Sequence, residues 1–269
     1  MPASVSQGEA RERGPEAQIA CYVYGIVLAD KPPALDEQGV GDPPGQVSLV
    51  RQGDIAALVS EVDVTRPLGT PEDLLAHQRL LDAASATAPV LPMRFGGVVT
   101  DPEVVAAELL EPYHDEFAAV LEEMSGRDQF VVTGRYDEQT VLAEILAEDP
   151  AAARLREEIR SQDEQDETVT RPARIQLGEI IGNAIAARRD ADNTEAAQAF
   201  EPLCAAIAVR EPSHEFASAH LALLVDKDRQ AELEQAYKNL ARSWEGRVRL
   251  RLLGPMAPYD FVSSPEMGG

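Results

Sequence analysis

The side chains able to do chemistry in this chain of 269 residues are four histidines, two cysteines, 47 carboxylates and 24 strong bases. Asp73 and His77 lie one helical turn apart, and on a helix they share a face where a metal ion could sit. His214 and His220 would share one face of a continuous strand. No carboxylate is placed to complete either site, and a strand start falls between 214 and 220, so these read as surface or capping histidines and no metal ligand is named. Glu122-Glu123, Glu157-Glu158 and the run Asp163-Glu164-Gln165-Asp166-Glu167 offer paired carboxylates for acid and base work. In so acidic a chain such pairs arise by abundance, and they read as solvated faces and linker. Cys21 and Cys204 form no C-x-x-C pair, so neither a disulfide framework nor a zinc cluster follows, and a reduced cytosolic setting is expected. Phosphate-loop, dinucleotide-loop, nucleophile-elbow and H-E-x-x-H motifs are all absent. No catalytic residue, cofactor or metal is expected.

Charge narrows the partners. The formal balance is 24 minus 47, or −23, which argues against nucleic acid or an anionic membrane, since binding phosphate needs a basic field. Lysine is nearly absent beside arginine. Residues 1–17 are polar and charged, lack an apolar core of signal-peptide length, and read as a disordered lead. No apolar run reaches the roughly 18 to 20 residues of a membrane-spanning helix. The length suits two domains, because single cores usually stop growing at roughly 250 to 300 residues.

The elements that must position these side chains begin at Gln18 to Leu28, an aromatic and β-branched strand. A proline-rich loop covers Asp30 to Gly45. Gln46 to Arg51 and Asp54 to Val62 form a hairpin about Gly53. Thr70-Pro71-Glu72-Asp73 caps a helix that ends by Ala88, with Leu74, Ala76 or His77, Leu81, and Ala84 or Ser85 at helical spacing. Val90 to Val99 reads as one strand, with Leu91, Met93 and Phe95 on one face and Val90, Pro92, Arg94 and Gly96 on the other. Arg94 is expected to pair with a carboxylate at the sheet edge, the alternative being an anion or partner contact. Thr100-Asp101-Pro102-Glu103 opens a second helix toward Ser125-Gly126, interrupted at Pro112. Residues 18–126 therefore form an N-terminal α+β domain.

From Arg127 the pattern restarts. Phe130 to Tyr136 is a strand, and Glu138 to Glu148 a helix with Val141, Leu142, Ile145 and Leu146 inward. Three helices follow, Ala151 to Arg160, Arg171 to Arg189 and Thr194 to Cys204, separated by Ser161 to Thr170 and by Asp190-Ala191-Asp192-Asn193. They form an insertion over about 150–204. Two strands, Ala205 to Glu211 and Ser218 to Asp226, precede a helix over Lys227 to Ser243 with Leu233, Ala236, Tyr237 and Leu240 on one face. Gly246 to Leu253 sets Val248, Leu250 and Leu252 against Arg247, Arg249 and Arg251. That arginine row reads as a solvent face paired with neighbouring carboxylates, or as a docking stripe for an acidic partner. Without the insertion the order is β-α-β-β-α-β, a ferredoxin-like split unit over 127–253. Residues 254–269 form a tail that docks Tyr259, Phe261 and Val262 over the domain junction and is loose at its end.

Three stretches together resemble the gas vesicle protein F/L family, its F branch slightly preferred. They are Tyr22-Val23-Tyr24-Gly25-Ile26-Val27, Val90-Leu91-Pro92-Met93-Arg94-Phe95-Gly96 and Gly254-Pro255-x-x-Pro258-Tyr259-x-Phe261, in the family's order. Two positions depart from its pattern: Gly97, where a threonine or similar residue is usual, and Ala257, where a second proline is common. The resemblance implies an α+β first domain of its own type and a modified ferredoxin-like second domain with extra helices. It implies a non-enzymatic structural or assembly role in gas vesicle formation, at the vesicle and in the cytoplasm. The implied partners are the small hydrophobic shell protein and other gas vesicle accessory proteins. Tyr22, Tyr24, Gly25, Leu91, Pro92, Arg94, Phe95, Gly96, Gly254, Pro255, Tyr259 and Phe261 are then structural or partner-contact residues, with the sheet face and the domain cleft as the expected contact surface. An acidic chain could hold hydrophobic subunits apart or place them at a growing edge. Two other readings stand beside it: a small-molecule-binding or catalytic α+β protein with a pocket around Arg94 and a histidine, and an adaptor for another cytosolic assembly.

Overall fold

The computed structural model describes residues 18–34, 36–161 and 167–262. The expected lead at 1–17, part of the polar linker at 161–170 and the end of the tail lie outside these residues. The chain is an α+β protein built on two antiparallel sheets.

The first sheet contains β1 (Ile19–Leu28), β2 (Ser48–Gln52), β3 (Ile55–Asp63), β4 (Val90–Pro92) and β5 (Val98–Val99), in the order β2-β3-β1-β4 with β5 also on β1. In β1 the register against β3 shifts between Val23 and Gly25. That bulge changes which face the strand's side chains reach: Cys21, Val23 and Ile26 join one core, while Tyr22, Tyr24 and Val27 join the other. Both faces are therefore buried. Helix α1 (Pro71–Thr87) covers the tyrosine face. After the short helix α2 (Pro102–Val104), the π-helical turn Val105–Leu110 and helix α3 (His114–Met124) cover the opposite face. Thr70 and Asp73 close a reciprocal capping box at the start of α1.

One expected strand is two. β4 stops at Pro92, which removes a donor from the ladder, and the chain turns at Phe95-Gly96 with Gly96 at φ +97° before β5 re-pairs with Cys21 and Tyr22. Leu91 and Met93 share a core as the alternation predicts, but Phe95 crosses to the tyrosine face.

The second sheet contains β6 (Arg127–Tyr136), β7 (Cys204–Val209), β8 (Ala217–Asp226) and β9 (Val248–Met256), in the order β7-β8-β6-β9. With α4 (Glu138–Glu148) and α7 (Gln230–Ser243) as crossovers this is the ferredoxin-like arrangement. The inserted helices are α5 (Pro150–Ser161) and α6 (Glu167–Phe200). Helices α4, α6 and α7 cover one face, burying Val141, Ile145, Phe200, Leu233 and Leu240 against Phe130, Leu221, Leu223 and Leu250.

Several boundaries differ from the sequence expectation: β6 begins at Arg127 and not Phe130, and Cys204 starts β7 where a helix end was expected. The chain does not break at Asp190-Ala191-Asp192-Asn193; α6 runs through it as one helix of 34 residues. Its buried polar residues bond across to the sheet instead of capping. Asp192 accepts from the Tyr136 hydroxyl at 2.6 Å, from Ser218 Oγ at 2.7 Å and from Arg247 at 2.8 Å. Asn193 Oδ1 accepts from the His220 backbone at 2.9 Å. The last strand also outruns its expected end, continuing through Gly254-Pro255 to pair Met256 with Gln129 across a bulge.

Candidate functional site

Tyr22, Tyr24 and Phe95 surround His77 beneath α1, with ring centroids 5.6 to 5.7 Å from the imidazole. His77 is not a surface or capping residue: it is 4% exposed, on the helix face it shares with Asp73, Leu80, Leu81 and Ala84. Leu74, expected on that face, is 47% exposed. Both imidazole nitrogens are occupied. Nε2–H donates to the Met93 carbonyl at 3.1 Å, which assigns the tautomer, and Nδ1 accepts from the Tyr22 hydroxyl at 3.0 Å. The Tyr22 oxygen in turn accepts the Gly96 N–H at 3.1 Å, tying the first motif to the second.

Electrostatics follow from this burial. Loss of water pushes the His77 pKa down to about 4, although the hydrogen bond to Met93 pulls the other way. Burial raises the Tyr22 and Tyr24 hydroxyls. Tyr24 hydrogen-bonds Ser60 Oγ at 2.7 Å and accepts the Val40 N–H at 2.7 Å. One turn before His77, Asp73 is held by Arg66 in a two-point contact of 2.7 and 3.2 Å. That guanidinium, with the Thr70 and Gly69 N–H groups, outweighs burial and brings the Asp73 carboxyl down to about 2.

The third motif reaches the same place from the other sheet. Ala257 is fully buried in the tyrosine-face core and Tyr259 packs against it, with its hydroxyl raised by burial. The Ala257 N–H donates to Asp82 of α1 at 3.0 Å. Asp260 and Gln129 bond reciprocally: Gln129 Nε2 donates at 2.6 Å, and the Asp260 N–H returns at 2.9 Å. Arg210 meets the same carboxylate at 3.2 Å. Phe261 and Val262 enter the core under the opposite face of the first sheet, beside Leu224 of the second. Residues 257–262 thus bond to α1 and to β6 of the second sheet, and pack their apolar side chains against both faces of the first.

Glycines permit two close approaches here. A Cβ at Gly25 would lie 2.6 Å from the Leu91 carbonyl oxygen and 2.9 Å from Leu81, so β1, β4 and α1 could not close on one another. Gly254 has φ +125°, and a Cβ there would meet Gln129 and Phe130 at 2.8 Å. Leu91 and Pro92 are buried in β4, and Pro255 continues β9.

Arg94 departs from its expectation. Its side chain is exposed, and among the described residues no carboxylate lies within 4.0 Å of it. The sheet edge is held instead by His77 and Tyr22. The arginine row also divides. Arg247 pairs with Asp192 and stacks 5.0 Å over Trp244, while Arg249 and Arg251 meet no carboxylate among the described residues. His214 and His220 do not face each other along a strand: only His220 lies in β8, and its ring bonds the Glu211 carbonyl at 2.7 Å. Burial lifts the Cys21 and Cys204 thiols to about 11, away from the reactive thiolate. Among the described residues no three His, Cys, Asp or Glu side chains cluster to hold a metal ion.

The sequence reading noted the Asp73 and His77 spacing without the aromatic cage that buries it. It missed the Gln129 and Asp260 pair altogether, because the two are 131 residues apart and no local pattern links them. As chemistry the cluster is closed: every polar atom of the His77 and Tyr22 pair serves a partner in the fold.

A family model described as gas vesicle synthesis protein GvpL/GvpF matches residues 20–263. Gas vesicle protein F of Streptomyces sp. (strain CB03234) is 33% identical over 251 residues, spanning 91% of this chain and 100% of that protein. Gas vesicle protein L of the same strain is 26% identical over 276 residues, spanning 91% and 93%. The crystal structure of GvpF from Microcystis aeruginosa superposes with a TM-score of 0.71 at 20% identity, over 91% of this chain and 99% of that one. GvpF from Anabaena sp. PCC7120 gives 0.68 at 22% identity, over 91% and 97%. The two structures share the fold, and the family match runs through all three motifs that meet beneath α1. This chain belongs to the gas vesicle GvpL/GvpF family.

Proposed function

We propose that this chain is a non-enzymatic assembly factor of the gas vesicle, which binds the hydrophobic shell protein in the cytoplasm and supports its incorporation at the vesicle. The observation that carries this reading is the family match across residues 20–263. The packing supports it, since the family motifs lock two sheets together and leave the outer surfaces as the working part. On this reading the halves are two domains meeting near residue 126, with the tail as their clamp.

β7 is the surface best suited to an apolar strand. It is the outer strand of its sheet, Cys204-Ala205-Ala206-Ile207-Ala208-Val209 carries no charge, and Val209 is 64% exposed. A groove of about 710 Å³ between β7 and α6 lies alongside, lined in part by Asn193, Ala197, Ile207 and Val209. Unprotected apolar edges offer open backbone donors and acceptors to an added strand. A lysine at such an edge blocks pairing. In a pull-down at several salt concentrations, the wild-type chain retains shell protein at each one, and Val209→Lys reduces the retained amount by about tenfold with its melting temperature unchanged. Independent passage of the two wild-type proteins at every salt concentration refutes the function; equal retention by Val209→Lys refutes the edge. The catalytic reading needed Arg94 beside a histidine in a pocket, and no observation favours it.

A further inference from the structure

We propose that the exposed end of the helix-free face of the second sheet is a docking site for a short acidic segment of a partner protein, gripped by Arg135, Arg249 and Arg251. Cross-strand register places them together. Arg135 stands directly opposite Arg249, and Arg251 opposite Thr133, so all three arginines project from the face opposite the helices. The spacing is about 5.5 Å across the pair and about 7 Å along β9, which matches successive carboxylates of an extended acidic segment.

Three observations favour that occupant. All three arginines are exposed, and among the described residues none has a carboxylate within 4.0 Å, in a chain with 47 acidic and 24 basic residues. Like charges directly opposite on a sheet are destabilising, and no carboxylate among the described residues pairs with either guanidinium, Asp137 acting on Arg249 only from a distance. Asp137, the carboxylate close enough to feel Arg249, is engaged by Thr140 at the start of α4, its N–H donating at 3.0 Å. The same face is already covered at its other end, where Leu224 packs into the first sheet's core, and Leu253 beside the arginines is 49% exposed. The vacant part therefore offers three guanidiniums and one apolar contact, while Asp137, Glu138 and Glu245 line the groove beyond the Arg135 and Arg249 end and bound the acidic segment there. Guanidinium forks bind carboxylates in two-point geometry. A long polyanion such as nucleic acid would meet the repulsion of the whole chain at −23, which a short acidic segment largely avoids.

The test uses rhodamine-labelled hexaglutamate and fluorescence anisotropy with the full chain at about 50 and 300 mM NaCl, where screening lengths differ more than twofold. Wild type binds at the lower salt and weakens at the higher. Arg249→Glu/Arg251→Glu binds about tenfold or more weakly, whereas Arg154→Glu/Arg160→Glu, an equal charge change on the exposed face of α5, alters binding less than about twofold. Arg249→Gln/Arg251→Gln repeats the loss without added negative charge. Absence of binding at low salt overturns the site, as do equal losses in both charge-reversed variants. Tighter binding of a single-stranded DNA of matching charge assigns the face to nucleic acid. A dimer that Arg249→Glu/Arg251→Glu abolishes assigns it to a second copy of the chain. The peptide readout is separate from the shell-protein pull-down, so the two proposals fail independently.

Discussion

Because Tyr22, Tyr24 and Phe95 keep water from His77, the folded imidazole stays neutral, its pKa lowered from 6.5 to about 4. As the pH falls below 6.5 the unfolded chain takes up a proton that the folded chain refuses. The stability contributed by this group is complete above pH 6.5 and is lost progressively toward pH 4, a change of about 3 kcal/mol. Asp73 acts in a lower window, contributing above its ordinary 3.8 and losing that contribution toward pH 2. His77→Gln is expected to lower stability at pH 7 by roughly 1 to 3 kcal/mol through lost hydrogen bonds and packing. It should also flatten the dependence between pH 6.5 and 4 relative to wild type. Urea denaturation at stepped pH checks this, and parallel curves for the two proteins contradict it. The turn-to-turn spacing of Asp73 and His77 was legible in the sequence. Their burial was not, because the rings enclosing His77 come from residues 22, 24 and 95, on a distant strand and in a turn.

Local chemistry predicted the elements well where caps and alternation were strong. α1 begins at the Thr70 box, and β9 turns Val248 and Leu250 inward and Arg249 and Arg251 outward. It failed where a polar run read as a break. Asp190 to Asn193 looks like a linker, yet inside α6 Asp192 collects three donors from β6, β8 and the start of β9's arginine row. Only the fold brings those donors together. Asp192→Ala strands the buried Tyr136 and Ser218 hydroxyls while leaving the part-exposed Arg247 to solvent, so it is expected to destabilise the chain by roughly 1 to 3 kcal/mol. Thermal or urea unfolding reads this directly, and a loss below about 1 kcal/mol contradicts the role given to the network. Val90 to Val99 failed for a different reason. Alternation assigns faces but does not register a turn, and the positive φ of Gly96 lets the strand stop and Phe95 cross over.

At the scale of the molecule, composition and order were enough for an α+β chain with a ferredoxin-like second sheet, and the motifs were enough for the family. The expected docking of the tail rested on its apolar residues, but its polar partners were not readable, since Gln129 with Asp260 and Asp82 with Ala257 are long-range pairs formed only after both sheets exist. Their effect is to bond one short tail segment to α1 and to β6, which suits a platform with a charge-free edge strand and a basic sheet face at its surface. If the platform serves the shell protein, its presence must change that protein's solubility. Co-expression of the full chain with the shell protein, followed by measuring the shell protein in the soluble fraction and its co-elution by size exclusion, tests this most directly. A soluble shell-protein pool that elutes with this chain is expected; a shell protein that pellets equally with and without it contradicts the assembly role.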